Sequence, residues 1–136
     1  MRTHARLPSA TGASRPQGFT LVELLIVMAI LAMLLSLAAP RYFDSLERAK
    51  EASLRTNLRM LRESIDKYRG DKGRFPESLQ QLVDARYLRA IPIDPVTDSA
   101  GTWVLLPHPD GTLPGAYDVR SGAATASRDG SAFQTW

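Results

Sequence analysis

The sequence predicts an α+β fold: one long N-terminal helix, apolar in its first half and amphipathic in its second, packed on a small antiparallel β-sheet. Three observations predict it. Phe19 to Ala39 is a run of 21 residues with one ionisable side chain, Glu23, and no Gly or Pro. Leu54, Leu58, Leu61, Ile65 and Tyr68 then recur at steps of 4, 3, 4 and 3, a helical stripe whose other faces carry Arg, Lys, Glu and Asp. Towards the C-terminus, Thr102–Leu106 and Ala116–Ser121 read as strands on either side of the turn-rich PHPDGTLPG.

The N-terminal elements come first. Residues 1–18 hold Arg2, Arg6 and Arg15 and no acid, leaving 14 basic against 14 acidic side chains elsewhere. Without this leader the chain is close to neutral, so its basic balance gives no reason to expect a nucleic-acid partner. At 1.5 Å per residue the 21-residue run is about 31 Å long, enough to cross a hydrocarbon core. The basic leader then predicts a cytoplasmic N-terminus and a domain on the far side of the membrane. A cleaved secretory signal fits poorly, because the apolar run is long and continues into a polar helical pattern. Glu23 is the anomaly, since a charge within a membrane helix costs about 2.5–3.5 kcal/mol on insertion scales. Read alone, it is a carboxylate snorkelling to the nearby interface.

The rest follows in chain order. The amphipathic half is predicted to run to about residue 69, stopped by Gly70, with Pro40 kinking or locally melting the helix at the end of the apolar run. Pro76 and Glu77 suit the start of a short helix over about 77–85. The two prolines of AIPIDPVTDSAG (Ala90–Gly101) impose an extended loop. After strands over about 102–106 and 116–121, a third short strand is expected near AFQTW. The organisation is a leader (1–18), an apolar helix (19–39) and a domain (40–136). That domain has no cysteine, so packing, a metal or neighbouring subunits must stabilise it.

GFTLVELLIVMAIL, beginning at Gly18, resembles the prepilin motif of type IV pilins and type II secretion pseudopilins. The resemblance implies cleavage after Gly18 by a prepilin peptidase, N-methylation of Phe19, and a register-setting role for Glu23, the fifth residue of the mature chain. Pro40 matches a helix-kinking proline common in these proteins. An ammonium at Phe19 would lie one helical turn from Glu23, and in a filament the carboxylate could also meet the ammonium of the next subunit. Two charges that are each costly in lipid become tolerable as a pair.

The later sequence resembles the G-subunit family of type II pseudopilins. The matching residues are Phe75-Pro76, Ile91-Pro92-Ile93-Asp94-Pro95, Tyr117-Asp118-Val119, Ser121 with Gly122, and the terminal Trp136. The resemblance implies a pilin-like fold and a structural subunit of a periplasmic pseudopilus that drives protein export. Its implied partners are the peptidase, copies of itself, other pseudopilins, an inner-membrane assembly platform and membrane lipid. It also implies one calcium ion in the C-terminal loop. Asp129 and Asp118 are the candidates, but Gly122-Ala123-Ala124 stands where the family has Gly-Ala-Asp, and Asp129-Gly130 by itself reads as a turn. No other cofactor is expected.

No catalytic constellation is legible. His108 is the single histidine after the leader, set between two prolines, and no serine lies in a Gly-x-Ser-x-Gly elbow. Arg55, Arg59, Arg62 and Arg69 are interleaved with acids and lack a stacking platform for nucleic acid. Two other readings are a minor pilin of a type IV pilus or competence system, and a membrane-tethered periplasmic binding module.

Overall fold

The computed structural model describes residues 18–136, so leader residues 1–17, with the three arginines, lie outside the described residues. The elements are helix α1 (Leu21–Lys72), helix α2 (Leu79–Asp84), strands β1 (Trp103–Leu106) and β2 (Asp118–Ser121), and a 3-10 turn over Phe133–Thr135. The architecture is the expected α+β one. The chain divides into two compact units between Pro40 and Arg41.

In the first unit every described side chain is exposed, including Phe19 at 87% and Leu35 at 65%. The run has no core of its own, yet it contains a stretch long and apolar enough to cross a membrane. So much continuous apolar surface needs lipid or neighbouring chains to cover it. Pro40 lies inside α1, and helix is assigned without interruption on either side of it. The expected local melting does not occur; one missing hydrogen bond is tolerated within a long helix.

In the second unit, the predicted stripe forms one wall of the core. Leu54, Leu58, Leu61, Ile65 and Tyr68 are all buried. Against them pack Phe75, Leu79, Leu82, Leu88, Trp103 and Val119. The sheet has two strands, antiparallel, with Trp103 opposite Ser121 and Leu105 opposite Val119.

Three boundaries differ from expectation. α1 passes through Gly70 and ends at Lys72, where Gly73 adopts φ 70° and its N–H donates to the Arg69 carbonyl (2.8 Å). The left-handed residue that closes a helix is thus the second glycine, not the first. α2 starts later than predicted because Ser78 caps it, its Oγ accepting from Gln81 N at 3.2 Å. The third strand is absent among the described residues. Phe133–Thr135 is a 3-10 turn, and pairing there is reduced to one bridge between Ala126 and Ala132.

The proline loop is held by a buried carboxylate. Asp94 is fully buried and accepts from Val96 N (2.8 Å), Thr97 N (3.4 Å) and Ser121 Oγ. Ser121 Oγ in turn accepts from Ala123 N (3.1 Å), and the Trp103 indole N–H donates to the Pro92 carbonyl (2.8 Å). Beside this cluster Gly122 passes so close to Thr102 that a Cβ would collide with its carbonyl oxygen. Asp94→Ala should destabilise the domain by about 2–4 kcal/mol, because one hydroxyl and two amides lose a buried acceptor. Asp94→Asn should cost less, since it keeps an acceptor oxygen. Chemical denaturation followed by Trp103 fluorescence checks both, and an unaltered midpoint for Asp94→Ala would contradict the arrangement.

Candidate assembly site

The site is the entry to α1. Gly18, Phe19 and Thr20 precede the helix and are exposed, and Leu24 N makes the first bond of the ladder, to Thr20 O at 3.2 Å. Thr20 is therefore the capping residue and Glu23 lies in the first turn. Their side chains reciprocate: Glu23 N donates to Thr20 Oγ1 (3.2 Å), and Thr20 N donates to Glu23 Oε2 (3.3 Å). This is a capping box, in which two amides without helical partners are satisfied at once. A carboxylate here also faces the positive end of the helix dipole.

That geometry corrects one expectation. Phe19 and Glu23 are not successive members of one helical face, because Phe19 lies before the cap, outside the helix. The carboxylate is turned back over the entry by its bond to Thr20 N. Sequence reasoning missed Thr20, although Thr-x-x-Glu before an apolar run is the signature of such a cap. Among the described residues it is Oε2 of Glu23 that is engaged.

The other predicted site residues are placed elsewhere. Pro40 lies within α1. Asp118 opens β2 and is paired with Arg62, whose Nε donates to its Oδ1 at 2.7 Å. Asp129 folds onto its own turn, accepting from Ser131 N (2.8 Å) and Ser131 Oγ. Those two bonds hold its carboxyl below the ordinary range against the opposing effect of burial. Gly130 follows with φ 86°, as a turn requires. Calcium takes six to eight oxygens, and among the described residues no group of three or more His, Asp or Glu is placed to hold a metal. The candidate pair therefore does not fit the ion.

The arginines are largely committed within the domain. Arg55 stacks on the Trp136 ring at 3.9 Å, and Arg69 on Phe75 at 4.6 Å. Arg62 adds bonds to the Val119 and Trp136 carbonyls. His108 is more enclosed than a loop residue need be: its ring lies 4.8 Å from that of Tyr117 and 6.2 Å from Phe75.

An exposed apolar helix entered through the Thr20–Glu23 capping box, together with a small α+β domain, is consistent with a pilin-like fold, and the relatives place the chain in that class. A family model described as the prokaryotic N-terminal methylation motif matches residues 13–39. Type II secretion system core protein G of Klebsiella pneumoniae is 33% identical over 97 residues, covering 60% of this chain and 69% of the relative. Its counterpart in Aeromonas hydrophila is 30% identical over 97 residues, covering 60% and 68%. The type IV major pilin protein PilA of Myxococcus xanthus is 32% identical over 68 residues, but these cover only 31% of it and 50% of this chain. No solved structure matches. The chain belongs to the family of type II secretion system core protein G, and is a pseudopilin. The type IV pilin reading has less support, because that match covers so little of the pilin.

Replacing the Thr20 hydroxyl tests the cap. Thr20→Val should weaken the first turn by about 1 kcal/mol, read as faster amide exchange at Glu23 in detergent micelles, while Thr20→Ser should preserve it. Equal exchange in all three chains would contradict a capping role.

Proposed function

We propose that this chain is a structural subunit, not an enzyme, made as a precursor and cut after Gly18 by a prepilin peptidase. Phe19 is then N-methylated, and the mature chain joins copies of itself and other pseudopilins in a periplasmic pseudopilus that drives protein export. Before assembly it is held in the inner membrane by residues 19–39, with its N-terminus cytoplasmic and residues 40–136 periplasmic. An inner-membrane platform supports its incorporation.

One observation carries this reading: the wholly exposed, apolar first part of α1, up to Pro40, whose single carboxylate lies in the first turn. Lipid alone would account for the apolar surface, but it penalises the carboxylate. A neighbouring subunit's Phe19 ammonium removes that penalty, because two desolvated opposite charges attract strongly at low dielectric. The bond from Thr20 already orients Oε2, so less ordering remains to be done when the second charge arrives.

Intact-mass analysis with and without an active prepilin peptidase tests the processing. The expected product lacks residues 1–18 and carries one added methyl on Phe19; an unprocessed chain beside an active peptidase would favour a plain membrane anchor. Glu23→Ala tests assembly. It should insert into the membrane at least as well as the parent, since a charge costing about 2.5–3.5 kcal/mol is gone, while the yield of sheared filaments falls by an order of magnitude or more. Filaments at the parent yield would rule out the register role.

A further inference from the structure

The second half of α1 carries a second stripe beside its core face. Glu51, Arg55 and Arg62 lie four and seven residues apart, on one helix face beside the core residue Leu58. These three side chains grip the C-terminal segment at successive points. Glu51 Oε1 accepts from Ser127 Oγ and from Arg128 N, both at 2.9 Å. Arg55 covers the Trp136 ring, and Arg62 Nη2 donates to the Trp136 carbonyl at 2.8 Å. Between these anchors the segment closes on itself. Ser127 N donates to Ser131 O at 2.8 Å, and the Trp136 indole N–H donates to Ser131 Oγ at 2.8 Å.

The family resemblance implies a calcium ion for this loop, and the donors of this chain are spent otherwise. Ala123 is buried in the core within the Gly122-Ala123-Ala124 stretch, which brings no carboxylate. Asp129 serves Ser131 and Asp118 serves Arg62. Glu51, which precedes the loop by 76 residues in sequence, is the carboxylate that reaches it.

We infer that the C-terminal loop of this pseudopilin is closed by Glu51 acting as a built-in anion in place of a bound cation, so that its order is indifferent to calcium. One carboxylate accepting a main-chain and a side-chain bond joins loop to helix directly, as charge-assisted hydrogen bonds do well. The groove beside it is also lined by Glu47 and Lys50, so the ammonium offsets part of the charge of the two glutamates. The inference stands apart from the processing and assembly of the chain.

Acid supplies a second signature. The Arg128 amide bond, assisted by the Ser127 hydroxyl and the Arg128 charge, holds the Glu51 carboxyl below its ordinary value, against some burial and the charge of Asp129. A carboxyl depressed by folding contributes stability above its unfolded pKa of 4.5 and loses it as the pH falls through the lower folded value. Arg128 and Asp129 on the loop are the charges that act on this carboxyl, and Glu47 and Lys50 of α1 line the same groove.

Hydrogen exchange of the full chain in detergent micelles tests the inference, with calcium chloride or with EDTA. Protection of the Arg128 amide should be equal in the two, and Glu51→Ala should accelerate its exchange by about tenfold. Ser127→Ala removes one of the two bonds and should give a smaller acceleration, while Lys50→Ala should leave protection in place. After correction for the intrinsic rate, protection in the parent should fall on acidification below the ordinary carboxylate range. Calcium that slows exchange at Arg128 or raises the unfolding temperature of the parent would overturn the inference. If that effect vanished in Glu51→Ala, Glu51 would be a cation ligand instead. Unchanged exchange in Glu51→Ala would overturn it equally.

Discussion

Burial of one stripe on α1 is the constraint on which the domain depends. Leu54, Leu58, Leu61, Ile65 and Tyr68 span four turns of a single helix, and the remaining elements are too short to stand alone. α2 has six residues and each strand four, below what forms independently in water. Each is stable because it lays a few side chains on the stripe: Leu79 and Leu82 from α2, Trp103 from β1, Val119 from β2. Truncating a fully buried leucine at such a site typically removes about 2–5 kcal/mol, a large share of what a domain this small can hold.

The polar contacts decide how the short elements meet the stripe. Asp94 ties the proline loop to the end of β2 through Ser121, and Gly115 lets the chain pass Phe75 and Pro76, where a Cβ would come within 2.9 Å of both carbonyls. Arg62 joins helix, strand and C-terminus at once. A chain without cysteine thus closes its loops with carboxylates and arginines, placed where a helix face or a turn can hold them rigid.

Much of this was legible in the sequence, because helical periodicity and turn chemistry are local signals. The five-residue stripe, the apolar run and the two strands could be read directly. What could not be read was set by competition between neighbours. Gly70 and Gly73 are equally capable of ending a helix, and the choice falls to whichever can turn left-handed while Phe75 reaches the core. AFQTW has strand-like residues, but the Phe133 and Trp136 rings meet edge to face at 5.0 Å, which a 3-10 turn allows and alternation along a strand does not. The buried role of Asp94 has no local signal, because nothing near it in sequence reveals that Ser121 lies 27 residues further on and against it. The Thr20–Glu23 cap was local and readable, yet it was masked by the stronger question of why an acid stands in an apolar run.

That question has a layered answer. Glu23 does not wait uncompensated for a partner: in the single chain it satisfies the Thr20 amide and faces the positive end of the helix dipole. Both reduce the cost of holding a charge at the membrane boundary, and neither uses all of its hydrogen-bonding capacity. A glutamine could reproduce the cap, because it too accepts from an amide. It could not attract an ammonium with comparable force, since that attraction needs a net charge at low dielectric. The cap therefore accounts for an acceptor at this position, and only an ionic partner accounts for an acid.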